Sequence, residues 1–245
     1  MNPLVTVRGL SKHYGRQHVL ESIDLELHAD QICVLLGSNG VGKSTLLRSL
    51  IGLEDVKADT LEVLGLDPRR KPDALRRLVG WVPDHSDVPA WMTPAECARF
   101  QEHCYDGWDS SRLAQLFDRL DVPTRRAFAK LSRGEAAKAM LALALASRPK
   151  LLILDEPLAR LDPRTKAEVL ACLLAEVPID GGACLLATHN LDVAVRAADR
   201  VLVLANGRVE SAVDVSNIDS TQTTPCGLRA RLERLYDSNT LEPVR

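Results

Sequence analysis

No stretch of this 245-residue sequence is apolar for long enough to cross a bilayer. The longest nearly unbroken apolar run, Ala139 to Ala146, falls far short of the roughly twenty residues a spanning helix needs. An excess of one charge is missing too. With 31 basic and 33 acidic residues the net charge is −2, so nothing marks a nucleic-acid partner and none is expected. Cys-x-x-Cys pairs are absent. The cysteines at positions 33, 97, 104, 172, 184 and 226 are scattered, which points to reduced thiols and a cytoplasmic location rather than a disulfide framework. Cys97, His103 and Cys104 lie close together but lack a fourth ligand at zinc-finger spacing. Met1 to Val7 lacks the basic and apolar regions of a signal peptide, and there are no internal repeats or low-complexity tracts.

What is present begins at Gly37-Ser38-Asn39-Gly40-Val41-Gly42-Lys43-Ser44-Thr45. Glycine, four residues, then glycine, lysine and a hydroxyl residue is P-loop spacing. Ile32 to Leu36 before it reads as a buried strand, and Leu46 to Ile51 after it as the start of a helix. Glycines there let successive N–H groups converge on a phosphate, and the helix N-terminus adds positive potential. Lys43 is expected to reach the β- and γ-phosphates and Ser44 to ligate Mg²⁺. The bound molecule is therefore expected to be a nucleoside triphosphate.

Hydrolysis requires a carboxylate on a second strand. Leu151-Leu152-Ile153-Leu154 is continuously apolar, as in a strand buried on both faces, and Asp155-Glu156 stand where it should end. In open α/β sheets ligands bind beyond the carboxyl ends of the strands. Asp155 is expected to hold Mg²⁺ through its water shell, and Glu156 to polarise the attacking water. Pro157 prevents these acids from running straight into a helix. Further on, Ser132 with Glu135 three residues later reads as a capping box before the helical stretch Ala136 to Ser147.

Together with the P-loop and the second acidic strand, Leu131-Ser132-Arg133-Gly134-Glu135 resembles the signature of the ABC transporter ATPases. The resemblance covers roughly residues 3–212 and implies an α/β fold. It has a P-loop NTPase core of ABC ATPase type, an antiparallel β subdomain and a helical subdomain. It further implies that Ser132 and Gly134 present N–H groups to the γ-phosphate held by an opposite chain. Tyr14 matches the residue that stacks on adenine. Leu161-Asp162 matches the loop that crosses the dimer interface, where Asp162 also suits a helix cap before Pro163. His189, after the apolar run Ala183 to Ala187, matches the histidine that contacts the γ-phosphate. The chain departs from the family at Arg133 and Glu135, and Glu135 adds a carboxylate near the phosphates that needs a compensating cation. It departs again after Val79 to Pro83, where Asp84 stands for the usual glutamine and is expected to act as an outer-sphere magnesium ligand.

The expected organisation is an ATPase domain over 1–212, with a helical subdomain inserted at about 85–148. A polar linker and a short amphipathic helix follow in 213–245. One P-loop implies a second ATPase chain, most simply an identical one, and a separate membrane permease at the cytoplasmic face of the inner membrane. Trp91 to Glu96 and Tyr105 to Asp109 resemble bacterial exporters whose ATPase and permease are separate chains. Export is the expected direction. The alternative is a soluble ABC ATPase without a membrane channel, such as an iron–sulfur cluster assembly scaffold.

Overall fold

The computed structural model describes residues 2–85, 88–177, 181–215 and 225–240. Two sheets organise the chain. Strands β1 (Val5–Tyr14), β2 (Gln17–Leu27) and β4 (Thr60–Val63) form an antiparallel sheet ordered β2-β1-β4. The larger sheet contains β3 (Ile32–Leu36), β5 (Val79–Val82), β6 (Leu151–Asp155), β7 (Ala183–Thr188), β8 (Arg200–Ala205) and β9 (Arg208–Asp214), ordered β5-β6-β7-β3-β8-β9. Five of its strands run parallel, and only β9 turns back against β8.

Strands β3, β6 and β7 are buried residue by residue, as their unbroken apolar sequences require. Alternate residues feed two cores. Val34, Leu36, Leu152, Leu154, Cys184 and Leu186 face one side, packed with α4 (Ser110–Arg119), α5 (Arg133–Ala146), α6 (Pro163–Glu176) and α7 (Leu191–Ala197). Cys33, Leu35, Leu151, Ile153 and Leu185 face the other, against α1 (Lys43–Leu50) and the antiparallel sheet. Each such leucine removed from water contributes about 1.5–3 kcal/mol, so both sides of the sheet resist movement of the site above it.

Helix starts follow local chemistry. Thr93 and Glu96 form a capping box at α3 (Pro94–Glu102), and Ser132 and Glu135 form another at α5. Asp109, Asp162 and Asn190 accept backbone N–H bonds at the starts of α4, α6 and α7. Between β5 and β6 the described chain contains α3, α4 and α5 but no strand. Helix α2 (Pro72–Arg76) lies between β4 and β5. The C-terminal helix α8 (Pro225–Thr240) packs Leu228 and Leu232 into the core, and Arg229 pairs with Asp192 at the start of α7. Residues 216–224 of the expected linker lie outside the described residues. Among the described residues no helix is long and apolar enough to cross a membrane.

Candidate functional site

Register brings the expected residues to one edge. Leu36 of β3 pairs with Thr188, Ala187 of β7 with Asp155, and Leu154 of β6 with Val82. The carboxyl ends of β3, β7, β6 and β5 are therefore level. From them emerge the P-loop, His189, Asp155 with Glu156, and Asp84. A cleft of about 650 Å³ opens there, lined by Tyr14, Asn39 to Thr45 (apart from Val41), Asp84, Glu156, Arg160 and His189 among others.

The P-loop is shaped by close approach. Gly42 has φ +112°, and a Cβ there would stand 2.9 Å from Leu20 Cδ2 and 3.0 Å from Val19 O. A side chain at Gly37 would meet the Leu204 carbonyl at 2.6 Å. Lys43 is buried. Its Nζ donates to the carbonyls of Gly37 (2.8 Å) and Ser38 (3.0 Å) and pairs with Glu156 Oε1 at 3.0 Å. His189 Nδ1 lies 3.0 Å from both carboxylate oxygens of Glu156. Glu156 sits at φ +48° with its N–H bonded to Ala187 O, a conformation that costs a non-glycine residue energy and turns its side chain off the strand line.

Asp155 ends β6 and is 1% exposed. Burial raises its carboxyl above the ordinary 3.8. A hydrogen bond from Ser44 opposes that rise, while the negative charges of Asp84 and Glu156 reinforce it. Its Oδ1 is buried with no hydrogen-bond partner. A buried carboxylate oxygen left without a donor, beside a hydroxyl and a second carboxylate, fits a hard cation such as Mg²⁺. No group of three His, Cys, Asp or Glu side chains converges on a metal position among the described residues. Water and nucleotide oxygens would thus have to complete the shell. Asp84 Oδ2 lies 3.4 Å from His85 Nε2.

Tyr14 ends β1 and is 47% exposed, and Lys12 Nζ stands 4.8 Å from its ring centroid. Ser132, Gly134 and Asp162 are elsewhere: none lines the cleft of its own chain. They form one structural unit. Asp162 accepts the Thr165 hydroxyl at 2.6 Å, and a Cβ at Gly134 would meet Thr165 Cγ2 at 2.9 Å. Helices α5 and α6 meet there without room for a side chain. Glu135 turns back on its own helix end, accepting the Ser132 N–H at 2.7 Å and pairing with Arg126 at 3.0 Å. The Ser132 N–H and Arg126 hold its carboxyl below the usual range. Arg126 is the cation that the substituted signature calls for. It stands in the turn before α5, where no sequence motif points to it, and Arg160 in the cleft wall was missed in the same way.

Residues 20–159 match the family described as ABC transporter. Aliphatic sulfonates import ATP-binding protein SsuB 2 of Pseudomonas savastanoi pv. phaseolicola is 33% identical, over 100% of this chain and 91% of its own. Glutamate transport ATP-binding protein GluA of Corynebacterium glutamicum is 33% identical, covering 93% of this chain and 96% of its own. Among solved structures, an ATP-binding subunit of an ABC transporter superposes with a TM-score of 0.83 at 28% identity, covering 97% of this chain and 99% of that one. The first of these names specifies import, so the expectation of export finds no support in it.

Proposed function

This chain belongs to the ABC transporter family and is an ATP-binding, ATP-hydrolysing subunit of that type, and we propose that it powers solute uptake through a separate membrane permease. Uptake, rather than the export suggested by the segments at 91–96 and 105–109, follows the import named for the sulfonate relative. Cluster assembly without a channel gains nothing from relatives that are named for transport over nearly their whole length.

The observation that carries the reading is the convergence of Lys43, Glu156 and His189 over the P-loop, within 3.0 Å of one another through Glu156. Lys43 enters the reaction held by Glu156. An arriving triphosphate competes for the ammonium, which frees the carboxylate to face water. Glu156 then takes a proton from that water as its oxygen bonds to the γ-phosphorus and the bond to the bridging oxygen breaks. His189, already bonded to Glu156, orients the carboxylate and can reach the departing phosphoryl group. P-loop N–H groups and Lys43 hold the charge that builds on the phosphate oxygens. Ser44, Asp155 and Asp84 are the residues that would hold Mg²⁺, which would supply charge neutralisation for the triphosphate. Tyr14 would stack on the adenine.

Ser132, Gly134 and Asp162 do not reach their own chain's cleft, which favours a head-to-tail pair in which one chain's α5 start covers its partner's nucleotide. An apolar groove of about 580 Å³ is lined by Trp81, Trp91, Met92, Phe100 and Tyr105, among others. Trp91 and Phe100 are 72% and 67% exposed, and this groove suits an apolar segment of the permease. On this reading the chain works at the cytoplasmic face of the membrane, through the permease. The test is recovery of a tagged chain from gently solubilised membranes. A polytopic membrane protein that co-purifies with wild type, and is lost from a Trp91→Ala/Phe100→Ala variant, supports the reading. Recovery of soluble partners alone, indifferent to that variant, contradicts it.

A further inference from the structure

Arg160 lies in the loop between β6 and α6, four residues beyond Glu156. Its backbone has φ +60°, a region that suits glycine and disfavours a residue with a Cβ. Leu158 and Leu161 on either side of it are buried, which pins the loop and leaves Arg160 facing out. Its guanidinium has no hydrogen bond or ion pair among the described residues. It borders the nucleotide cleft, and also a smaller cavity of about 210 Å³ between Asp84 and the start of α5.

Charge in the cleft explains why a strained arginine is worth keeping there. Asp84 and Glu156 line it, and Asp155 is buried behind Ser44. Lys43 is already committed to two carbonyls and Glu156, and His189 to Glu156. Of the fixed cations on the cleft wall, only Arg160 is uncommitted. A triphosphate entering between these carboxylates meets a like-charged wall, more so because Asp84 stands where a neutral residue is usual. We propose that Arg160 is a phosphate-binding residue of the ATP site, its guanidinium offsetting Asp84 and gripping the triphosphate from the side opposite the P-loop. Guanidinium and phosphate oxygens pair through two parallel charge-assisted hydrogen bonds, a geometry lysine cannot copy. The proposal rests on the cleft being the ATP site.

The experiment is titration of Mg·ATP onto nucleotide-free wild type, Arg160→Gly, Arg160→Ala, Arg160→Lys and Lys43→Ala, with melting temperatures measured in parallel. Arg160→Gly and Arg160→Ala should each weaken ATP about tenfold, equivalent to roughly 1.4 kcal/mol. Arg160→Lys should recover part of that loss. Arg160→Gly should also melt about 2–4 °C higher than wild type, because glycine adopts the positive φ freely. Weaker binding by a more stable protein separates a binding role from damage to the fold. Arg160→Gly and Arg160→Ala binding ATP within about twofold of wild type, while Lys43→Ala loses it, would overturn the proposal alone. Unchanged binding by Lys43→Ala as well would overturn the ATP-site assignment and the proposal together.

Discussion

Removing the charge of Asp155 should make the nucleotide-free protein more stable and nearly inactive. The carboxylate is 1% exposed, its Oδ1 has no donor, and Asp84 and Glu156 add like charge nearby. The Ser44 hydroxyl and, to a lesser extent, the charge of Arg48 favour its ionised form. An unsatisfied buried acceptor costs about 1–3 kcal/mol. Asparagine keeps the shape and one unpartnered polar atom, so Asp155→Asn should recover about 1–2 kcal/mol of that at pH 7. For a chain of this size that is roughly 2–8 °C in melting temperature. The sign with pH is fixed by the raised pKa. The unfolded chain ionises first, so the penalty is complete above the folded pKa. It fades as pH falls through that value and is gone below the ordinary 3.8. The gap between Asp155→Asn and wild type should therefore close on acidification. Turnover should fall about 100-fold or more, because the cation that this carboxylate would hold carries several kcal/mol of charge stabilisation. Thermal denaturation without nucleotide from pH 3.5 to 8, with phosphate release at pH 7.5, tests both. A well-folded Asp155→Asn that melts below wild type at pH 7 refutes the reasoning.

Three further outcomes follow from the same geometry. Tyr14→Ala should raise the KM for ATP about tenfold with little change in kcat, since stacking on a base contributes about 1–3 kcal/mol; an unchanged KM places adenine elsewhere. Arg126→Gln should cut kcat/KM by about two- to fivefold, the range of an exposed ion pair, and should do nothing in a Glu135→Gln background. Equal losses in both backgrounds would mean that Arg126 does not act through Glu135. Asp84→Gln should change the magnesium dependence of ATP hydrolysis; identical magnesium titrations for variant and wild type would remove Asp84 from the cation site.

Much of this was legible because the residues involved are constrained locally. An unbroken apolar run before Gly37 and another before Asp155 can only be strands buried on both faces, and both are. The Ser132 and Glu135 spacing marked the N-cap of α5, which begins at Arg133, three residues before the apolar helical stretch expected from Ala136. That β7 lies between β3 and β6, bringing His189 onto Glu156, is a matter of strand order, which no run of residues states. The Lys43–Glu156 ion pair joins positions 113 residues apart (156 − 43) and depends on that order. Arg126 and Arg160 escaped notice because arginine in a polar loop reads as a solvated charge. Only the fold shows that one meets Glu135 and the other borders the cleft. Trp91 was read as a mark of exporters, yet what the structure shows is an exposed ring over an apolar groove, a feature that says nothing of direction.

The most direct measurement is the mass in solution and the phosphate release of Glu156→Gln beside wild type, each with and without Mg·ATP. If Glu156 is the base and two chains enclose the nucleotide, the variant loses about 10²- to 10⁴-fold in rate and runs as an ATP-dependent dimer, while wild type turns over and returns to its nucleotide-free mass. Hydrolysis by Glu156→Gln at the wild-type rate, or a variant that binds ATP and stays at the mass of one chain, would contradict that assignment.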